Sequence, residues 1–333
     1  MKTPHGRQLR QLVFAISIVY LLGNVSAAQQ LASQQPPPAW AFTVDPPASA
    51  SSDKPAANTP QHVPHSSQTF TLAQIADLFT VPDWHPDAHP AMPAVVASGR
   101  KPDVIPCAYC HLPNGQGRPE NASLAGLPAK YIVQQMAAFK SGTRQSSEPK
   151  LMPVTYMIGV AAHANDEEAS TGAEYFSKLK PRPWIRVVES ATVPRTHIAG
   201  WMLVADEPKV MEPIGNRIIE TPENLELTEL RDDTSDFIAY VPPGSLKRGK
   251  ELVTKGGNGE TMPCALCHGE DLRAKENVPS IAGRSPSYIV RQLYDMQIGT
   301  RGGAGTQQMQ LPVLKLTMDD MLTIAAYLAS LKP

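Results

Sequence analysis

Cysteine is scarce in this chain: four among 333 residues, all inside two short strings, so none is left for a structural disulfide. Basic runs are missing too. With 30 basic against 31 acidic residues the formal charge is −1 and no block of one sign stands out, which argues against nucleic acid as a partner. Long hydrophobic runs are also lacking. The one candidate, Leu12 to Leu22, is short for a bilayer span; it follows Lys2, Arg7 and Arg10 and precedes the small residues Val25-Ser26-Ala27-Ala28. That order reads as a secretory signal over 1–27, so the mature chain is expected in the periplasm. Membrane association is expected only if the signal stays uncleaved. Its removal takes three basic and no acidic residues and leaves a formal −4. At 18% charged and 42% apolar residues, the remainder suits two or three soluble domains.

What is present starts with those two strings, Cys107-Ala108-Tyr109-Cys110-His111 and Cys264-Ala265-Leu266-Cys267-His268. Each is a C-x-x-C-H, the attachment signature of a c-type haem. Two thiols three positions apart on an opening helical turn reach the two vinyl groups of one porphyrin, and the adjacent imidazole faces the iron. C-x-x-C also occurs in dithiol redox motifs and as half of a structural zinc site. Paired zinc halves are usually about 15–20 residues apart, whereas 153 residues separate Cys110 from Cys264. Two covalently attached haem c groups are therefore expected. Cys107, Cys110, Cys264 and Cys267 would bind them, with His111 and His268 on iron. Export agrees, because such haems are attached outside the inner membrane.

The two motifs head an internal repeat. A shift of 157 positions aligns 107–144 with 264–301 without a gap, and 14 of the 38 pairs are identical. The matches fall in blocks: Ser123 with Ser280, Ala125-Gly126 with Ala282-Gly283, Tyr131-Ile132-Val133 with Tyr288-Ile289-Val290, Gly142-Thr143-Arg144 with Gly299-Thr300-Arg301. Duplication explains such blocks. In the first copy Tyr131, Val133, Met136, Ala137 and Phe139 offer the apolar face of a helix that the glycine stops. A last helix carries Met318, Met321, Leu322, Ala325 and Leu328 at i, i+3, i+4, i+7 spacing; its counterpart is expected over about 166–179. Residues 28–68, with Pro36-Pro37-Pro38, Pro46-Pro47, Pro55, Pro60 and Pro64, read as an extended linker or tether, with Trp40 and Phe42 as candidates for local docking. Residues 183–243 hold short runs rich in β-branched and aromatic residues: Trp184 to Val188, Ile198 to Val204, Arg217 to Ile219 and Phe237 to Val241. Within that stretch Asp232, Asp233 and Asp236 read as a solvated acidic turn.

The haem motif, an (Ile/Leu)-Ala-Gly, a Tyr-led helix ending in Gly-x-Arg, a later methionine and a closing Ala-x-Tyr helix resemble class I cytochrome c. Doubled, they resemble its tandem diheme members over 69–182 and 244–333. The resemblance implies a mainly α fold. Its parts would be a signal peptide (1–27), a disordered Pro-rich linker (28–68), two cytochrome c domains (69–182 and 244–333) and a small β-rich insert (183–243) joining them. It further implies methionine as the sixth iron ligand, which raises the reduction potential. Met309 occupies that place in the second copy, after the loop Gly302 to Gln308. In the first, counting from the motif selects Met152 and counting from the last helix selects Met157. Met157 is preferred, with Met152 as the alternative, because an insertion sits more easily in the surface stretch Gln145 to Lys150. His163 is read as a surface residue, and Arg144 and Arg301 either as haem-propionate partners or as helix-end residues. The family places a proline before the (Ile/Leu)-Ala-Gly; Pro279 fits, whereas Ala122 stands at the first-copy position.

The function so implied is single-electron transfer by a carrier rather than an enzyme. The expected partners are a periplasmic dehydrogenase or quinol-oxidising complex and a terminal oxidase, with no small-molecule substrate. A diheme peroxidase, which needs an iron with an open site, and a cytochrome subunit of a larger dehydrogenase are the rival readings.

Overall fold

Each haem motif opens a helical turn, Cys107–His111 in the first copy and Ala265–His268 in the second. Both turns end where the backbone crosses to positive φ, at Gly269 (82°) and at Leu112 (64°). Glycine takes that conformation freely, while a leucine is strained by roughly 1–2 kcal/mol. The Leu112 side chain, 2% exposed, offsets the strain by burial. The structure, a computed structural model, describes residues 36–46, 57–208, 210–259, 261–273 and 276–333. The expected signal segment lies outside them. Pro37–Pro333 form one compact unit, and among the described residues no helix is long and apolar enough to cross a membrane.

The Tyr-led helices span Ala129–Lys140 and Pro286–Ile298, and glycines at positive φ, Gly142 and Gly299, follow them. The buried face of the first differs from the expectation: Ile132, Gln135, Ala138 and Phe139 are buried, whereas Val133 is exposed. The reason is helical geometry, since residues two apart lie about 200° around the axis and cannot share a face. The closing helices are Asp166–Lys178 and Met318–Ala329, each started by a capping box, Asn165 with Glu168 and Thr317 with Asp320. Asp166, Glu167 and Glu168 in the first turn and Lys178 in the last complement the helix dipole of the former. Met321, Leu322, Ala325 and Leu328 are buried as the spacing required, and the whole helix lies against Ser245–Lys255. At that crossing Gly249 is obligatory, because a Cβ there would stand 1.9 Å from the Thr323 carbonyl oxygen.

The segment between the copies carries strands. Ile185–Glu189 pairs in parallel with Phe237–Val241, which pairs antiparallel with Ile219–Pro222. The run expected from Ile198 to Val204 is instead a hairpin, Thr196–Ala199 against Met202–Ala205, turned at Gly200-Trp201 where both residues adopt positive φ. Ala239, Val241, Val187 and Ile185 join the hydrophobic core of the second copy with Leu252, Val253 and Leu322.

Two expectations need correction here. The described parts of 28–68 are not a free linker. Ala41 and Phe42 are buried in the second copy's core, Phe42 sets its ring edge-on to Tyr294 at 5.6 Å, and Arg291 donates to the Ala41 carbonyl at 2.7 Å. Val63 packs with Ile75, Trp84 and Leu230. Apolar side chains among the prolines drive this docking. Two of the three residues of the acidic turn are not solvated either: Asp232 and Asp233 are 1% and 3% exposed, while Asp236 is exposed as expected.

Candidate haem sites

One continuous apolar cavity of about 330 Å³ runs between the copies and is lined by both motifs, Cys107, Cys110 and His111 with Cys264, Cys267 and His268. Each imidazole is oriented by a main-chain carbonyl, His111 Nδ1 at 2.8 Å from Ala122 O and His268 Nδ1 at 2.9 Å from Pro279 O. An Nδ1–H donated to a carbonyl leaves the Nε2 lone pair for a metal. The alanine carbonyl thus replaces the proline carbonyl without change of geometry. Burial holds His111 down to about 4 and lowers His268 as well, so both rings are neutral, the form that ligates. Burial pushes the Cys107 thiol up to about 12 and that of Cys264 up to about 11. These walls suit neutral sulfur, as in a thioether, rather than thiolate.

Met157 and Met309 both line the cavity; Met152 does not and is 37% exposed. Met157 lies on the helix Met152–His163, which presents Pro153, Tyr156, Met157 and Val160 to the cavity at i, i+3, i+4, i+7 spacing. Met309 sits on a helix too, Thr306–Val313, rather than at the end of a loop. His163 is exposed at the far end of its helix, its Nδ1 bonded to Gly159 O at 2.9 Å.

Arg144 and Arg301 do something the sequence reading did not foresee. Their segments pair antiparallel with each other across the repeat, Gln145 N to Thr300 O at 2.8 Å and Gly302 N to Thr143 O at 2.7 Å. Arg144 donates to Tyr288 Oη (3.2 Å) and Arg301 to Tyr131 Oη (2.9 Å), so equivalent residues exchange partners about a pseudo-twofold axis. Gln135 accepts from Arg144 at 2.8 Å and Gln292 at 3.0 Å. Tyr131/Tyr288 and Gln135/Gln292 were missed as site residues although both pairs are identical in the repeat, the signal that would have found them. Arg284, which donates to Ser123 O at 3.0 Å, was missed because it has no such match.

Among the described residues, the connecting segment covers the first motif and leaves part of the second exposed. Arg231 lies 3.8 Å over the Tyr109 ring and donates to Tyr109 O at 2.8 Å, while Asn114 and Gln116 donate to the carbonyls of Asp233 and Ser235. In the second motif Leu266 is 70% exposed, and Cys267 is exposed too.

The residues fit the expected group. The cavity is apolar enough for porphyrin, and buried Nε atoms of Arg284 and Arg301, both on its wall, have no hydrogen-bond partner, which suits carboxylate oxygens such as propionates.

No family model matches the chain. It is 35% identical to cytochrome c-552 of Acidithiobacillus ferridurans over 228 residues, 68% of this chain and 73% of that protein. It is 25% identical to the thiosulfate dehydrogenase electron acceptor of Thiomonas intermedia over 233 residues, 69% and 80% of the two chains. With cytochrome c4 of Azotobacter vinelandii it shares 22% identity over 250 residues, 73% and 91% of the two chains.

Proposed function

The chain belongs to the diheme class I cytochromes c, an electron carrier with two covalently attached haem c groups, and on that premise we propose a periplasmic carrier with both irons fully ligated by its own side chains. Cys107 and Cys110 hold one group by thioethers, Cys264 and Cys267 the other. His111 and His268 supply the imidazole nitrogens, Met157 and Met309 the thioether sulfurs. When bound, each group supplies a one-electron ferrous–ferric couple, which histidine–methionine ligation moves to higher potential.

The observation that carries this reading is the matched furniture of the two sites: an imidazole fixed through Nδ1 by a carbonyl, and a methionine on the same cavity wall. The Ala122 and Pro279 carbonyls hold the rings in place when charge changes, and the apolar lining excludes water, so little rearranges.

Partners exchange electrons at the second motif, where Leu266 stands 70% exposed next to the exposed Cys267. The first motif is screened by Arg231 and the segment 224–236. One relative is named for accepting electrons from thiosulfate dehydrogenase, and a periplasmic dehydrogenase of that kind is the donor favoured here, with a terminal oxidase as acceptor. Stopped-flow mixing of oxidised protein with purified thiosulfate dehydrogenase and thiosulfate tests this. Rapid haem reduction, slowed about tenfold or more by Leu266→Glu, is expected; no reduction at all, or no effect of Leu266→Glu, would remove the donor or the docking face from the account.

A further inference from the structure

We propose that His85, Asp232 and Asp233 form a binding site for a divalent transition-metal ion of the zinc type, apart from both haem sites. His85 precedes the turn Pro86–Ala88 in the arm ahead of the first motif, and the two aspartates follow the helix Leu225–Glu229 of the connecting segment. Each of the three offers one ligand atom, and these atoms all lie within 4.8 Å of one another. His85 Nε2 stands 3.1 Å from Asp232 Oδ1. Two ligands of a tetrahedral ion with bonds of about 2.0 Å are about 3.3 Å apart, so this pair already has the spacing, and a small inward shift of Asp233 completes three protein ligands.

The surroundings favour a cation. Asp232 Oδ1 is held by Thr234 N and Oγ1, both at 2.9 Å, but its Oδ2 is buried and has no hydrogen-bond partner. A buried carboxylate oxygen without a donor is costly, and an ion held by both oxygens of Asp232 removes that cost. The charges bearing on Asp233 are those of His85, His89, Asp232 and Asp83. Three carboxyl groups therefore stand here beside two imidazoles, an acidic excess that a cation complements. His89 is already engaged, with Asp83 at 3.0 Å and with the Tyr175 hydroxyl at 3.2 Å, so His85 is the imidazole available.

A second cavity, about 210 Å³, reaches this place. Asn114, Gln116, Arg182, Asp233 and Thr234 are among its wall residues. Its wall mixes polar and apolar side chains and includes Lys180, and it is roomy enough for water, giving a fourth ligand its space. One imidazole with two carboxylates suits a borderline ion such as Zn²⁺ better than Ca²⁺ or Mg²⁺, which prefer oxygen alone. An ion here would staple the arm to the connecting segment beside the first haem motif, where Tyr175 also bonds Pro113 O at 2.7 Å.

Zn²⁺ itself is the probe, titrated into tag-free, haem-loaded full chain by equilibrium dialysis with elemental analysis, alongside thermal unfolding. One saturable Zn²⁺ per chain is expected, with a melting temperature that climbs as Zn²⁺ rises. His85→Gln and Asp233→Asn should each weaken binding at least tenfold with the haem spectra intact, and His163→Gln should leave it unchanged. A wild-type chain that holds no Zn²⁺ overturns the site; so does an equivalent that survives both substitutions, since surface histidines would then be the ligands. If one variant loses its haem spectrum the other decides, since undiminished Zn²⁺ binding by a haem-loaded His85→Gln or Asp233→Asn chain overturns the site.

Discussion

Met152 and Met157 sit on one helix, yet only Met157 shares the wall that carries His111. Replacing Met157 by Ala should therefore abolish about half of the thioether–iron charge-transfer band of the oxidised protein, while Met152→Ala leaves the band whole; visible absorption of the two variants decides between them. Glu220 yields a pH prediction. It is buried, its Oε2 accepting from Ser285 Oγ (2.8 Å) and Ser287 Oγ (2.5 Å), and burial raises its pKa above the usual carboxylate value. A raised acid binds its proton more tightly folded than unfolded, so stability is greatest below the ordinary glutamate value and falls as pH rises from there through the folded pKa. Glu220→Gln should flatten that fall, read as denaturation midpoints from pH 4 to 8. Among individual residues, the cysteines and histidines of the motifs were legible because chemistry dictates their spacing. Arg231, Arg284 and the buried aspartates were not, because their roles come from partners more than 100 positions away in sequence, such as Tyr109 for Arg231 and Ser123 for Arg284.

Helices were read with fair success where a stripe or a cap marked them. The closing helix Met318–Ala329 showed both, and its buried positions followed the stripe. Ser245–Lys255 escaped notice, although Leu246, Gly249, Leu252 and Val253 lie on one face of it. A glycine in that stripe hides the signal, since it contributes closeness rather than apolar surface. Gly249→Ala tests the reading at this scale. Its Cβ meets backbone, which cannot move aside as a side chain can. Overpacking of this kind costs about 1–3 kcal/mol, so denaturant unfolding should show at least that loss, and a change under about 0.5 kcal/mol would mean the two helices are not so closely seated. The helical placement of Met309 was unreadable for another reason: Thr306–Val313 contains Pro312, and an interior proline argues against helix in any propensity reading.

Across the whole molecule, duplication was written in the sequence, but the way the copies meet was not. The Gly-Thr-Arg blocks pair with each other, and each arginine reaches the tyrosine of the other copy. Tyr131→Phe and Tyr288→Phe each remove one such bond and leave a guanidinium donor short, so each should lower stability by about 1 kcal/mol and their double variant by more than either alone. The same meeting puts both haem motifs on the wall of one cavity. Optical redox titration of the mature protein tests that account most directly. Two one-electron steps, both irons low-spin and both contributing to the sulfur charge-transfer band, are the predicted result; a high-spin iron that binds cyanide readily at neutral pH, or a single step carrying one haem per chain, would contradict it.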